Sequence, residues 1–236
     1  MRSPAPGRPH SAPVPVNWIP HALSLCGLAC GFLSLIASAA HDFPPAAALI
    51  IAAIFFDGFD GAAARALHCD GPLGEMLDSL ADLAAFGIAP AFLAYQAVLE
   101  NFGLPGALTG AMFAGCGAIR LARFPLVKNP RYFVGLPIPM AGAFVAMLGA
   151  VPVNLAPELV PVAIILVALL MVSTIEFPKF STAFGPLPAP VRWALCLALA
   201  PLLFVVARWA ILGLLVLYLS LGAAGALRLA LERDRG

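Results

Sequence analysis

An all-α fold, a polytopic membrane bundle of about eight transmembrane helices, is what this chain predicts, and three observations carry the expectation. Hydrophobic residues make up 62% of the chain and charged residues 11%, with a mean hydropathy of +0.98, a balance that excludes an ordinary soluble domain. Apolar runs near the ~20 residues needed to span a bilayer recur from end to end. The basic residues follow the positive-inside rule: with the N-terminus in the cytoplasm, every Lys and Arg except Arg208 falls at a cytoplasmic end. That orientation puts both termini on the cytoplasmic side, and the expected location is the cytoplasmic membrane of a prokaryote.

The elements follow in order. Residues 1–16, with Pro4, Pro6, Pro9, Pro13 and Pro15, are expected to be a disordered tail, and residues 17–236 a single membrane domain. Apolar helices are predicted over 17–40, 44–66, 75–99, 104–123, 136–153, 157–177, 190–206 and 209–229. Only Ala207-Arg208 separates the last two, which also read as one interrupted hairpin. The sequence Ala37-Ser38-Ala39 resembles a signal-peptide cleavage site, but the apolar stretch before it exceeds the 7–15 residues usual for such a peptide. Asp70-Gly71-Pro72 is a turn between the second and third helices. Gly135-Leu136-Pro137-Ile138-Pro139 breaks helical structure ahead of the fifth, and either shapes a pocket or simply starts that helix.

Several function classes drop out. A net charge of +1, with no basic stripe interleaved with aromatics, gives no reason to expect nucleic acid as a partner. Cys26, Cys30, Cys69, Cys116 and Cys196 are scattered without zinc or disulfide spacing, and His10, His21, His41 and His68 are equally unpaired.

Chemistry concentrates between Asp57 and Asp82. Asp57 and Asp60 are three apart and Asp78 and Asp82 four apart, so each pair shares one face of its helix. Folding at the Asp70-Gly71-Pro72 turn brings the two faces together as a cluster of four carboxylates at the cytoplasmic end. Carboxylates in or beside a membrane are costly and repel one another; hard cations such as Mg2+, Mn2+ or Ca2+ bind oxygen ligands and supply the missing charge. Gly61 and Ala64 continue the stripe with almost no side chain, leaving room for a flat ligand or for close helix packing. Arg65 adds a guanidinium suited to phosphate oxygens. Helix-dipole complementation accounts for Glu75 and part of Asp78, but Asp82 lies two turns in.

These residues resemble the signature of the CDP-alcohol phosphotransferases, D-x-x-D-G-x-x-A-R, eight residues, then G-x-x-x-D-x-x-x-D. Asp57, Asp60, Gly61, Ala64, Arg65, Gly74, Asp78 and Asp82 match every fixed position. The resemblance implies a cytoplasm-facing site at which a CDP-linked lipid donates its substituted phosphate to an alcohol, releasing CMP. It implies that Asp57, Asp60 and Asp78 are metal ligands and that Asp82 both approaches the metals and serves as general base. Gly61, Ala64, Arg65 and Gly74 would line the CDP pocket. A two-metal carboxylate site with Mg2+ or Mn2+, or Ca2+, fits the chemistry, because the phosphate charge and the leaving CMP both need neutralising. The family resemblance also implies a homodimer.

Further segments, residues 79–90, 115–124, 132–143 and 171–180, are similar to those of the family's bacterial and archaeal phosphatidylserine synthases. CDP-diacylglycerol is then the donor and L-serine the acceptor. Arg120 and Arg123 are candidates for the serine carboxylate or a lipid phosphate, with anchoring at the lipid headgroups as the alternative. The first helix departs from the pattern: the usual Pro-Asn, Leu-Thr and a later Asn read here as Pro20-His21, Leu23-Ser24 and Gly27. His21 and Ser24 can still make hydrogen bonds, whereas Gly27 has no side chain to do so. Glycerol phosphate or an inositol phosphate as acceptor would call on Lys128 and Arg131; choline would need an aromatic cage, for which Tyr132 and Phe133 are meagre. A cation transporter would need polar residues across the whole bilayer, and the outer halves of the helices are nearly all apolar.

Overall fold

The computed structural model describes residues 18–67, 71–123, 132–150, 157–174 and 176–178. The N-terminal tail and the predicted helices 190–206 and 209–229 lie outside these residues. Within them the chain forms α1 (Trp18–Ala39), α2 (Phe43–Leu67), α3 (Pro72–Asp82), a π-helical turn (Leu83–Ile88), α4 (Ala89–Ala97), a short 3-10 turn (Leu99–Phe102), α5 (Leu104–Arg123), α6 (Ile138–Ala150) and α7 (Leu159–Val172). Among the described residues, four spans are long and apolar enough to cross a membrane: α1, Phe43–Ala64 in α2, the continuous stretch Pro72–Ala97, and α5. The chain is an integral membrane protein on this evidence of length and composition. α6 and α7 are shorter apolar helices of 13 and 14 residues.

Packing reverses the size rule of soluble proteins. The buried face of α1 is Pro20, Ser24, Gly27, Gly31, Ser34 and Ser38, a stripe of small residues repeating every three or four positions. Leu25, Phe32, Leu33 and Ile36 are turned outward instead. In a bilayer the outer face meets lipid as apolar as any core, so small residues are best used where backbones must approach. Ala46, Ile50 and Ala53 of α2 answer the α1 stripe, and Ser34 Oγ donates to the Ala46 carbonyl at 2.9 Å. Interhelical bonds of this kind are worth on average about 0.6 kcal/mol in membrane proteins. The two helices join through a tight turn in which His41 takes φ 58° and Asp42 N–H donates to the Ala37 carbonyl. Pro44 and Pro45 then fall in the first turn of α2, where no intrahelical donor is lost.

The stretch Pro72–Ala97 is one span with a wide turn in its middle. Ala89 N–H donates to the Ala84 carbonyl, five residues back. Pro90, next in line, lacks an N–H and its ring would strike the Phe86 carbonyl in a regular α-helix; widening the turn relieves that clash. Small residues let neighbours close on this turn. A Cβ on Gly31 of α1 would lie 2.8 Å from Ala85 Cα, and one on Gly142 of α6 would lie 2.6 Å from the Phe86 carbonyl oxygen. Phe86, Leu93, Phe113, Ile138 and Ile164 are fully buried around it.

A two-stranded antiparallel ribbon, β1 (Tyr132–Val134) and β2 (Glu176–Pro178), is an addition to the predicted all-α fold. Its register pairs Tyr132 with Pro178, Phe133 with Phe177 and Val134 with Glu176. The ribbon continues into a clasp on the C-terminus of α7. Leu136 N–H donates to the Leu170 carbonyl, Arg123 Nη1 to the Val172 carbonyl at 2.8 Å, and Ser173 N–H to the Leu169 carbonyl. Gly135, at φ 77°, lies directly against the Met171 carbonyl. Orphan carbonyls of the helix end are thereby satisfied.

Candidate active site

Asp57 and Asp60 lie in the C-terminal half of α2, and Asp78 and Asp82 in the C-terminal half of α3. Asp57 and Asp60 extend the Ala46, Ile50, Ala53 stripe of α2 at the same three- and four-residue spacing, so the face that packs the bundle becomes the face that carries charge. Gly71, with extended backbone, precedes Pro72 at the first position of α3. From that start Asp78 and Asp82 come round to the same side as Ala81 and Ala85, facing α1 and α2.

One oxygen from each of Asp57, Asp60 and Asp78 lies within 4.8 Å of the others. Asp82 stands one turn beyond Asp78, within hydrogen-bonding range of Asp57. All four line one pocket, whose remaining walls are Ser24, Gly27, Ala53, Ala81, Ala85 and Phe86. Asp60 is only 6% exposed, and Ser24 Oγ donates to its Oδ2 at 2.7 Å. This donor set is hard, anionic and convergent, which is what a divalent cation requires and what crowded carboxylates without a counter-charge do not tolerate.

The two arginines predicted near the site part company. Arg120 is on the inward stripe of α5 with Gly106, Thr109, Gly110, Phe113 and Gly117, 9% exposed, and close enough to Asp57 and Asp82 to attract both. Arg123 turns to the end of α7 and bonds its backbone at Val172. Gly61 and Ala64 are half-buried on α2, and Arg65 follows on the same helix. Gly74 carries His21 on its open side: a Cβ there would lie 3.1 Å from His21 Cε1. His21 in turn meets Trp18 edge to face, with ring centroids 6.1 Å apart. Ser24, noted in the first-helix motif as able to hydrogen-bond, finds its partner in Asp60, which the motif did not indicate. Its place on the 20-24-27-31-34-38 stripe of small residues is the signal that turns it toward α2.

The family model for CDP-alcohol phosphatidyltransferases matches residues 17–175, and the chain belongs to that family. Among curated proteins it is similar to the CDP-diacylglycerol--serine O-phosphatidyltransferase of Bacillus subtilis, at 35% identity over 166 residues, 70% of this chain and 92% of that one. It is similar to the protein of the same name from Helicobacter pylori, at 34% over 199 residues, covering 80% and 81%. The archaetidylserine synthase of Methanothermobacter thermautotrophicus is 34% identical over 167 residues, 68% of this chain and 70% of the relative.

Proposed function

We propose that this protein transfers a phosphatidyl group from CDP-diacylglycerol to L-serine, giving phosphatidylserine and CMP. The observation that carries the reading is the convergence of Asp57, Asp60 and Asp78 within 4.8 Å in a pocket that also contains Asp82. Serine as acceptor rests on the names of the Bacillus and Helicobacter relatives.

Asp57, Asp60 and Asp78 would hold the divalent ions, with Mg2+ or Mn2+ favoured over Ca2+ and two ions proposed. Bound there, the metal supplies positive charge to the phosphate oxygens and to the leaving CMP. Asp82, beside the triad, accepts the proton of the serine hydroxyl as its oxygen bonds to the lipid-bearing phosphorus. The bond from that phosphorus to the CMP oxygen breaks, and CMP leaves with the electron pair. Arg120 is the proposed partner of the serine carboxylate, or of a lipid phosphate, because it is inward, buried and next to the base. Arg123 retains N–H groups beyond the one given to Val172, and its proposed contribution is to hold the α5 end in place. Gly61, Ala64, Arg65 and Gly74 are proposed to line the CDP pocket. The full proposal has a homodimer in the cytoplasmic membrane, about eight spans per protomer, and the pocket and both termini facing the cytoplasm.

The test is CMP release by purified protein in detergent with CDP-diacylglycerol and Mn2+ or Mg2+, comparing L-serine with glycerol 3-phosphate, choline and inositol phosphate. Serine-dependent release that vanishes in Asp82→Asn supports the proposal. Release with another acceptor alone changes the substrate, and no release with any acceptor or metal rejects the reaction.

A further inference from the structure

We infer that Ser24 is a positioning residue for the metal-binding carboxylates, acting through Asp60. The inference rests on the metal-site reading above. Ser24 Oγ has one proton and two acceptors in reach, Asp60 Oδ2 at 2.7 Å and the Pro20 carbonyl at 3.2 Å. The shorter, charge-assisted bond is the stronger. Both partners are buried, Ser24 and Asp60 each 6% exposed, so water does not compete freely for either.

A carboxylate needs such a restraint. The last torsion of an aspartate, between sp3 and sp2 carbons, is broad and gives the group little preferred direction of its own. A donor on Oδ2 fixes the plane of the Asp60 carboxylate and therefore the direction of both oxygens. Outer partners of this kind orient metal ligands, and losing one weakens metal affinity by roughly 10- to 100-fold.

Ser24 is itself held in place. Further along the same stripe, Ser34 bonds the Ala46 carbonyl and Gly31 rests on Ala85, which pins α1 against α2 and the wide turn. Gly27, the other α1 residue on the pocket wall, has no side chain, so Ser24 is the only side-chain donor that α1 contributes there. Two elements thus share the work of the site: α2 supplies the ligand and α1 sets its direction.

The experiment measures Mn2+ binding to the full chain in detergent, without substrate, by the loss of the free-Mn2+ electron paramagnetic resonance signal. Wild type is compared with Ser24→Ala, Asp60→Asn, and the pair Ser24→Thr and Ser24→Val, which differ by a hydroxyl at nearly equal volume. Ser24→Ala and Ser24→Val are expected to bind Mn2+ at least about tenfold more weakly, while Ser24→Thr stays near wild type. In CMP release, saturating Mn2+ is expected to restore most of the Ser24→Ala turnover with the serine KM unchanged. Equal Mn2+ affinity in Ser24→Thr and Ser24→Val, with Asp60→Asn impaired, overturns the role of Ser24 alone. Undiminished binding in Asp60→Asn overturns the metal-site reading beneath it. Should Ser24→Ala fail to fold, the Thr and Val pair decides the question.

Discussion

Substituting Gly31 by alanine tests whether the contact between α1 and the wide turn sets the geometry of the pocket. A methyl at Gly31 would lie 2.8 Å from Ala85 Cα and 3.1 Å from both Ala85 Cβ and N. Carbon atoms rest at about 3.5–4.0 Å, so α1 and the turn must separate by roughly 1 Å. The obstacle is backbone, which cannot rotate away as a side chain would. Overpacking of this size costs about 1–3 kcal/mol, against which helix propensity returns about 1 kcal/mol for replacing glycine. The net expectation is a loss of stability of up to about 2 kcal/mol. The larger effect falls on turnover, because Ala85 and Ser24 both line the pocket, and a displacement of about 1 Å can cost on the order of 100-fold in rate. Gly27→Ala is the control: its methyl would meet nothing nearer than the Ala53 carbonyl and Phe56 Cβ, both at 3.8 Å. It is expected to match or exceed wild-type stability. Thermal unfolding in detergent and CMP release read the two effects. A Gly31→Ala protein with wild-type melting and turnover would refute the reasoning, since it would mean the two backbones are not in contact.

Other outcomes follow from the same geometry. Asp82→Asn is expected to lose about 10²- to 10⁴-fold in serine-dependent turnover, the usual worth of a general base, while Mn2+ binding persists; equal loss of both would place Asp82 among the ligands. Chelation with EDTA should abolish CMP release and lower the unfolding temperature, because a ligand at about 100 times its Kd contributes about 2.7 kcal/mol to the folded state; wild-type melting with EDTA would argue against a resident metal. Gly135→Ala places a methyl against the Met171 carbonyl and forces alanine to φ 77°, a backbone cost of about 1–2 kcal/mol before the clash is counted. Differential scanning fluorimetry should therefore show clear destabilisation, and an unchanged melt would mean the clasp on α7 is dispensable. Arg120→Gln should raise the serine KM with little change in melting, whereas Arg123→Gln should lower the melting temperature first; the reverse pattern would exchange their proposed roles.

Much of the architecture was legible in the sequence where one signal dominated. The spans 17–40, 44–66 and 104–123 agree with α1, α2 and α5 to within a residue at each end, because charged or proline-containing turns bound them sharply. The third span begins at Pro72 rather than 75, since Pro72 opens a helix better than it ends a turn. α6 begins at Ile138 rather than 136, because Pro137 precedes the helix proper, and α7 spans Leu159–Val172 rather than 157–177, with Ser173 already extended. Strands of three residues, as in the ribbon, are too brief for alternation to reveal. The carboxylate cluster was legible because spacing alone puts each pair on one face. The separation of Arg120 from Arg123 was not, because three residues apart leaves both near one side of α5 and only the packing of α7 decides between them.

The wide turn at Leu83–Ile88 acts on the molecule as a phase setting. A π-helical turn holds one residue more than the helix around it, so everything before it is rotated relative to everything after it. Each residue of a regular helix advances about 100°. Closing the turn into regular α-helix with every residue kept would add about 100° between α3 and α4, and with α4 fixed by its neighbours the whole correction would fall on α3. Asp78 and Asp82 would swing about a quarter-turn away from Asp57 and Asp60 without any carboxylate having been altered. Losing one residue as the turn closes would instead keep that azimuth, so homologous chains with and without the extra residue should be aligned across the window by the azimuth of their carboxylates rather than by residue count.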